Sequence, residues 1–256
     1  MSRDENGKRR SGHPADRGKP SAEFTGGDLP MNVLAQRFGE LSRDLQKEEN
    51  VDATLAAIVR AAADTIPGVE HASISAVVKR QEVHTRAATG DLARAVDRAQ
   101  YDTGQGPCLD SLYEQHTVRL SDLSTEGRWP DFTAQAKEAG VRSMLAIQLY
   151  VTGEDLGVLN LFSTEPDAFT DESEQVGLVF ASHAAVAMAG SQQRAGLQVA
   201  MTTRDLIGQA KGILMERYKI SGQEAFRLLV LASQATNIKL VDVADELART
   251  GHLAAS

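Results

Sequence analysis

The stretch VRSMLAIQLYVTGEDLGVLNLF (141–162) decides the fold class of this chain. It contains two long apolar runs, 141–151 and 154–162, joined by a short Thr-Gly-Glu connection. A glycine-containing connection of a few residues is typical of a hairpin between antiparallel strands. We therefore expect the two runs to be neighbouring strands of one sheet.

A second pair of strands is predicted upstream. Residues 71–78, HASISAVV, alternate between apolar side chains and Ser73 and Ser75. This alternation predicts a strand with one buried face and one polar face. Residues 82–89 can pair with it as an antiparallel neighbour.

Helical patterns flank these strands. Apolar residues three and four positions apart predict the first helix, and Asn50 or Asp52 can cap the second. The expected helices cover 31–46, 51–66, 91–100 and the region from 171 to about 220, and a Gly-rich loop is expected at 103–110. An antiparallel sheet with helices to its sides is an α+β fold.

Composition and charge restrict the class of protein. The 256 residues carry 27 Lys/Arg and 35 Asp/Glu, for a net charge of −8. Residues 1–30 are rich in Gly, Pro and charge, which predicts a disordered tail. Residues 197–256 hold seven Lys/Arg and six Asp/Glu, so nucleic acid is more plausible as a partner there than in the acidic middle.

Several functions are not expected. The sequence has no secretion signal and no apolar run long enough to span a membrane, so we expect a cytoplasmic protein. Its histidines are scattered, Cys108 is the single cysteine, and no cluster of nucleophile and base stands out. We therefore expect no metal site, no cofactor and no enzymatic activity.

The loop at 103–110 supplies weak candidates for a small-molecule pocket. Tyr101, Asp102 and Gln105 border its glycines. Cys108 is a candidate redox sensor or heme ligand, or alternatively a small packed residue at a helix start. Trp129, in GRWPDF, either lines a pocket or anchors a turn.

The long helix has a partial seven-residue repeat. Five of six residues are apolar at positions 179, 186, 193, 200, 207 and 214. The companion positions are mostly polar or glycine, so the pattern is that of an interrupted coiled coil. We expect a parallel homodimer seam here, with a softer joint near Gly190 and Gly196; the alternative is an amphipathic helix buried on its own domain.

Three helices are predicted at the C-terminus. The first ends near Tyr218, and the motif SGQE at 221–224 is a capping box that starts the second helix, 222–235, whose apolar face includes Phe226. Asn237 can cap the third helix, and Gly251 ends it. Within the first helix, Gly208 and Gly212 each cost about 1 kcal/mol relative to alanine, which calls for an explanation.

Two stretches of the middle region resemble a known family. LGVLNLFSTEPDAFTDESEQVGLVFASHAAVAM (156–188) is similar to the last strand and helix of a GAF domain, and GQGPCLDSL (104–112) resembles GAF domains of actinobacterial regulators. The resemblance implies an α+β GAF domain over 31–190 that either binds an unidentified small molecule between sheet and loops or serves to dimerise.

The end of the chain resembles the ANTAR domain. IGQAKGILMERYKISGQEAFRLLVLASQATNIKLVDVADEL (207–247) carries its QAKGILM, EAF and DVA elements at matching spacing. The resemblance implies a helical linker at 191–200, an all-α three-helix ANTAR module at 201–252, and binding of RNA stem-loops in nascent transcripts that leads to antitermination. By this match the candidate RNA-binding residues are Gly208, Ala210, Lys211, Gly212, Arg217, Ser233, Asn237 and Lys239.

Two other functions stay open. Many such modules carry basic residues where this chain has Val230, Ile238 and Val241, so the C-terminal helices could instead bind a protein. The second and third helices could also bind DNA like a helix-turn-helix, although the acidic residues of the third helix would repel phosphates.

Overall fold

The computed structural model describes residues 31–78, 82–113, 116–152 and 154–253. The tail predicted to be disordered, 1–30, lies outside the described residues. The elements are α1 (Met31–Lys47), α2 (Val51–Thr65), β1 (His71–Val78), β2 (Glu82–Ala88), α3 (Asp91–Thr103), α4 (Pro107–Tyr113), β3 (Thr117–Leu120), α5 (Pro130–Glu138), β4 (Ser143–Val151), β5 (Glu154–Ser163), α6 (Asp171–Tyr218), α7 (Gly222–Thr236) and α8 (Leu240–Thr250).

The five strands form one antiparallel sheet in the order β2-β1-β5-β4-β3. The predicted hairpin of β4 and β5 is confirmed, with β5 at the centre of the sheet. The pairing of β1 with β2 is confirmed as well. The edge strand β3 was not predicted, because four residues are too few for an alternating pattern to stand out.

Helices cover both faces of this sheet. On one face α1, α2 and α6 pack on side chains such as Ile74 and Leu159. On the other, α3, α4 and α5 pack on side chains such as Met144 and Phe162. The prediction that β1 has an exposed polar face is therefore wrong: Ser73 and Ser75 are buried beneath α3 and the neighbouring strands.

Local capping sets several helix ends. Asn50 starts α2 by accepting a hydrogen bond from the Ala53 N–H at 2.9 Å. The loop predicted at 103–110 is shorter than expected, because Pro107 already begins α4, where its missing N–H costs nothing.

Helix α6 connects the sheet domain with the C-terminal helices. It runs without interruption for 48 residues, roughly 70 Å, after a capping box of Thr170 and Ser173. Gly190 and Gly196 both lie inside it, and a softer joint there stays a prediction.

The last part of α6 forms a three-helix module with α7 and α8. Leu214, Leu229, Val243 and Leu247 are completely buried in its core. The capping box of Ser221 and Glu224 starts α7 as predicted, with a hydrogen bond of 3.2 Å from the Glu224 N–H to Ser221 Oγ.

Asn237 has a different role from the one predicted. It is the C-cap of α7, with a left-handed φ of 55°, and Lys239 is the N-cap of α8. Asparagine tolerates the left-handed conformation better than most residues, so it ends a helix here and does not begin one.

Candidate functional site

A buried polar layer lies between the sheet and α3. We use this name for Ser73, Ser75, Thr85, Asp97, Tyr101 and Asn160. Four of the six, including Asp97 and Asn160, are almost completely buried. Polar side chains are seldom buried together unless they satisfy one another or bind a ligand.

Hydrogen bonds connect the layer. Thr85 Oγ1 donates to Asp97 Oδ2 at 2.8 Å, and Asn160 Nδ2 donates to Asp97 Oδ1 at 3.1 Å. The same amide nitrogen lies 2.9 Å from Ser75 Oγ, which shares a hydrogen bond of 2.5 Å with the Tyr101 hydroxyl. The carboxyl of Asp97 is therefore held at the centre of a network from three strands and a helix.

The layer is costly to bury and is not fully satisfied. Burial raises the pKa of the Asp97 carboxyl to about 7, although hydrogen bonds to Ser73, Thr85 and Asn160 act in the opposite direction. Asn160 Oδ1 and the nearby Gln100 Nε2 are buried without a hydrogen-bond partner among the described residues. Such atoms cost about 1–3 kcal/mol each, so a polar ligand that satisfied them would gain binding free energy.

Sequence reasoning found only part of this layer. It selected Tyr101 but missed Asp97, Thr85 and Asn160. The available signals were an aspartate four residues before Tyr101 on one helix face and an asparagine inside the apolar run LGVLNLF. Both residues occupy positions that a simple core would fill with apolar side chains.

The other pocket candidates lie in different places. Asp102 is exposed on α3, outside the layer. Gln105 Nε2 donates to Asp131 Oδ2 at 3.1 Å and so ties the short loop to the start of α5. Trp129 is buried just before α5 with the Arg128 guanidinium 4.1 Å above its ring, which fits an anchored turn.

Cys108 borders the polar layer but is inaccessible. It is completely buried, and its backbone N–H donates to Gln100 Oε1 at 2.8 Å. Burial, with a further contribution from Asp97, raises the pKa of the Cys108 thiol to about 12. A thiol that stays protonated is a poor nucleophile and a poor redox sensor, so the structure favours the packed-residue alternative.

An open groove runs between α6 and α7 in the C-terminal module. The Phe226 groove, as we call it, has a volume of about 540 Å³ and is lined by Ala200, Thr203, Arg204, Ile207, Gly208, Lys211 and Phe226. Phe226 is 40% exposed, so it lies at the edge of the apolar face predicted for this helix. Its neighbour Ala225 is buried, so the boundary between the buried and the exposed side of α7 lies between these two residues.

Lys211 is the best placed of the predicted RNA-binding residues. It lines the groove and lies across the start of α7, where a Cβ on Gly222 would be 3.7 Å from its Nζ. Its side chain is half-buried, and no ion pair is recorded for it within the described ranges. Lys211 therefore presents a positive charge at the groove.

Gly208 and Gly212, near the end of α6, answer the question raised by the sequence. A Cβ added at Gly208 or at Gly212 would meet nothing within 4 Å. The alternative that they allow close packing inside the module is therefore not what the structure contains. Both leave bare backbone open to a partner, and Gly208 does so in the groove.

Ala210 has to be corrected as a contact residue. It is completely buried in the core of the three-helix module, where its small side chain allows α7 and α8 to pack closely. It cannot touch a ligand on the surface of the folded module.

The remaining candidates do not join Lys211. Arg217 lies roughly 9 Å further along α6 and about a third of a turn around its axis, beside Gly251 at the end of α8. Ser233 Oγ donates to the Ile238 carbonyl at 2.6 Å, and Asn237 and Lys239 stand in the same turn. This turn is roughly 22 Å along α7 from the start of that helix, so the predicted set divides into separate patches.

No group of three or more His, Cys, Asp or Glu side chains in the described ranges is arranged to hold a metal ion. None of the helices that the structure describes is long and apolar enough to cross a membrane.

The fold and these sites define a sensor-type α+β domain joined by one helix to a helical output module. The GAF domain model matches residues 48–189, more than half of the chain, and the ANTAR domain model matches residues 195–247. The chain belongs to the GAF family and, with the ANTAR domain that follows, is a GAF–ANTAR regulator. It is thus a signal-sensing regulator with an ANTAR RNA-binding module, and the predicted fold class is confirmed; the actinobacterial type stays a prediction.

Solved structures share this fold. The chain is similar to the phytochrome photosensory core module of Stigmatella aurantiaca (11% identity, TM-score 0.57, covering 85% of this chain and 47% of that one). It is also similar to the free methionine-R-sulfoxide reductase of Neisseria meningitidis solved with its substrate (19%, 0.53, 67% and 97%) and to the GAF domain of a phosphoenolpyruvate-protein phosphotransferase of Coxiella burnetii (16%, 0.50, 64% and 96%). At these identities the likeness concerns the fold alone. No curated protein matches the chain significantly.

Proposed function

We propose that this chain is a cytoplasmic, homodimeric antitermination regulator. Its GAF domain senses a small polar molecule, α6 transmits the signal, and the ANTAR module captures RNA stem-loops so that a terminator hairpin cannot form. Binding, and not catalysis, is its mode of action, and it needs no cofactor.

The observation that carries this proposal is the open surface around Gly208 and Lys211. A helix interior that contains two glycines loses about 1 kcal/mol at each, and here no packing contact compensates for that loss. A partner that approaches the bare backbone beside Lys211 is the simplest reason for keeping Gly208. Exposed RNA loops suit such a surface because their bases and phosphates are both accessible.

The polar layer supports the sensing function. Asn160 Oδ1 and Gln100 Nε2 offer one acceptor and one donor inside the GAF core. We propose that the ligand carries a hydrogen-bond donor and an acceptor that pair with these two atoms. We therefore propose a small, polar molecule without negative charge as the ligand class, because an anion would be repelled by the Asp97 carboxyl whenever that group is ionised.

The homodimer is proposed from the surface of α6. Val186 and Leu197 are 66% and 59% exposed, and both continue the heptad side of the helix away from the sheet. In a parallel pair these residues would face their own copies and bury apolar surface. At Arg204 the same arrangement would bring like charges together, so we expect the seam to end before it.

The alternatives are weaker. On α8, Asp242 and Asp245 are exposed and would repel the phosphates of duplex DNA. The exposed, apolar Ile238 beside Lys239 favours the protein-binding alternative more, because a basic residue was expected in that turn.

The proposal is tested with the full-length chain in an electrophoretic mobility shift. The probes are an RNA with two stem-loops, the same RNA with both loops closed into duplex, and a DNA duplex of equal length. We expect selective binding of the looped RNA, with an affinity that falls as salt rises. Preference for the DNA duplex would establish the helix-turn-helix alternative, and no nucleic-acid binding would favour a protein partner.

Two further measurements address the finer claims. A single-round transcription reaction over a terminator that overlaps the stem-loops should give more read-through product when the chain is added. Sedimentation equilibrium should give a dimer that Val186→Glu dissociates, whereas Glu216→Gln, at an exposed site of the same helix in the output module, should leave it intact.

A further inference from the structure

The Phe226 groove combines an exposed aromatic ring with two cations. Phe226 lies on the α7 side, and Arg204 and Lys211 lie two turns apart on the α6 side. No aspartate or glutamate is among the residues that line it. The groove is therefore apolar at its floor and positive at its edge.

The ring of Phe226 has no aromatic partner and no cation above it within the described ranges. Across the groove, Gly208 offers no side chain, and a Cβ there would still meet nothing within 4 Å. A flat group could thus lie against the ring while its edge approaches the helix backbone. A nucleic-acid base has this shape, and stacking on an aromatic side chain is a common way to bind an unpaired base.

Arg204 and Lys211 are positioned to contact the phosphate backbone of the nucleotide whose base stacks on Phe226. Arg204 has one recorded ion pair, with its exposed neighbour Asp205 at 3.7 Å, which is too weak to hold it. Lys211 reaches the other end of the groove beside Gly222. Seven residues separate them, roughly 10 Å along the helix, so their flexible side chains can hold phosphates on either side of a base.

A second copy of this chain fits the groove less well. A parallel seam on α6 would set Arg204 and Lys211 against the same residues of the other copy, and like charges at such positions are unfavourable. The groove lies beyond the exposed apolar residues Val186 and Leu197, and Arg204 and Lys211 are the charged residues that line it.

We propose that the Phe226 groove receives one unpaired base of an RNA loop. The base stacks on Phe226, its edge lies over Gly208, and Arg204 and Lys211 hold the adjacent phosphates. This inference rests on the proposed function, since it names the part of the RNA that the module recognises and the residue that recognises it.

The test uses the full-length chain and the two-stem-loop RNA. Each loop base is replaced in turn by the fluorescent analogue 2-aminopurine. We expect one position to be quenched on binding by the parent chain, because stacking quenches this fluorophore, and not by Phe226→Ala. The affinity of Phe226→Ala should fall roughly 5- to 150-fold, the range that alanine substitution of a stacking residue gives.

Controls separate stacking from folding. Phe226→Tyr keeps a ring and should bind like the parent, whereas Phe226→Leu keeps the apolar bulk but loses the ring and should bind like Phe226→Ala. Leu231→Ala removes an apolar side chain of similar exposure from the same helix, outside the groove, and should not change RNA affinity. An abasic nucleotide at the quenched position should weaken binding by the parent chain but should not weaken binding by Phe226→Ala further.

The outcomes distinguish this inference from the function on which it rests. If the parent chain binds the RNA and Phe226→Ala binds equally well, the groove is not a base site, although the proposed function survives. If Phe226→Ala instead dissociates the dimer with RNA affinity unchanged, the groove belongs to a contact between copies. If the parent chain binds no RNA, both proposals are overturned.

Discussion

The GAF core and the ANTAR surface depart from ordinary burial in opposite directions. In the GAF domain the carboxyl of Asp97 and the amide of Asn160 are buried where a core would hold apolar groups. In the ANTAR module the ring of Phe226 and the backbone at Gly208 are exposed, although a helix normally buries an aromatic ring and covers its backbone with side chains. Each departure lowers the free energy of unfolding. Each therefore marks a place where binding of a partner can compensate for that loss. This contrast fits a sensor domain that encloses a small partner and an output module that binds a large partner at its surface.

The largest effect that tests this comparison is expected from Lys211→Glu. Reversal of the charge at the groove should lower affinity for the stem-loop RNA about 10- to 100-fold in a mobility shift, because a phosphate contact becomes a repulsion. The matched control is Lys219→Glu, an exposed lysine at the end of α6 that pairs with Glu216 away from the groove. Equal losses in both variants would mean that net charge, and not this surface, governs binding.

The next effect concerns the buried carboxyl and its pH dependence. The pKa of Asp97 is about 7 in the folded chain and about 3.9 when unfolded, so the folded chain binds the proton more tightly. Its contribution to the free energy of unfolding is therefore fully present below about pH 4 and is lost as the pH rises to about 7. Asp97→Asn should remove this dependence.

The measurement is urea denaturation of both chains at pH 5 and pH 8. Between these pH values the free energy of unfolding of the parent chain should fall by roughly 1–3 kcal/mol more than that of Asp97→Asn. Asp102→Asn, an exposed change on the same helix, serves as the control and should behave like the parent. A parent with no extra loss would show that the layer admits enough water to solvate the carboxylate.

A smaller effect separates stability from binding at the ANTAR surface. Gly208→Ala and Gly212→Ala should each raise the free energy of unfolding by about 0.5–1 kcal/mol, because both added methyl groups enter open space in a helix. Gly208→Ala should nevertheless weaken RNA binding several-fold, since its methyl group enters the groove. Gly212→Ala should leave RNA binding unchanged, because Gly212 does not line the groove. A larger loss of RNA affinity in Gly212→Ala than in Gly208→Ala would place the RNA site on the Gly212 side of the helix.

The smallest effect is expected at the thiol beside the polar layer. Cys108 is completely buried and its pKa is raised to about 12, so a disulfide reagent at pH 8 should react with it hardly at all in the native chain. The same reagent should titrate one thiol in 6 M guanidinium. Rapid reaction without denaturant would mean that the GAF core opens readily, and the contrast between a closed sensor and an open output module would fail.

Much of the fold followed from local pattern. The hairpin of β4 and β5, the helix at 31–47, the capping box of Ser221 and Glu224 and the long α6 all depend on short-range periodicity or capping, which a single sequence carries. The strand β3 and the early start of α4 were not predicted, because their signals cover too few residues. Asn237 was assigned to the wrong helix end, because the same residue type suits an N-cap and a left-handed C-cap.

The candidate sites were less predictable than the fold. Lys211 and Gly208 were found through a resemblance, but Ala210 was included with them although it faces the module core. Phe226 was assigned to the apolar face of α7 by its spacing, but it is 40% exposed at the edge of that face. Which side of a helix a boundary residue falls on depends on how the neighbouring helix crosses it, and no local pattern contains that information.

The sequence alone determined the two strand pairs, the α+β character of the first domain and the helical character of the second, because these follow from periods of two and 3.6 residues. The tertiary structure decided that Ser73, Asp97 and Asn160 meet in one buried layer, since they come from three elements far apart in the chain. It also decided that Phe226 and Gly208 face one groove. Both sites arise where separate elements pack together, and that packing is fixed only when the whole chain is folded.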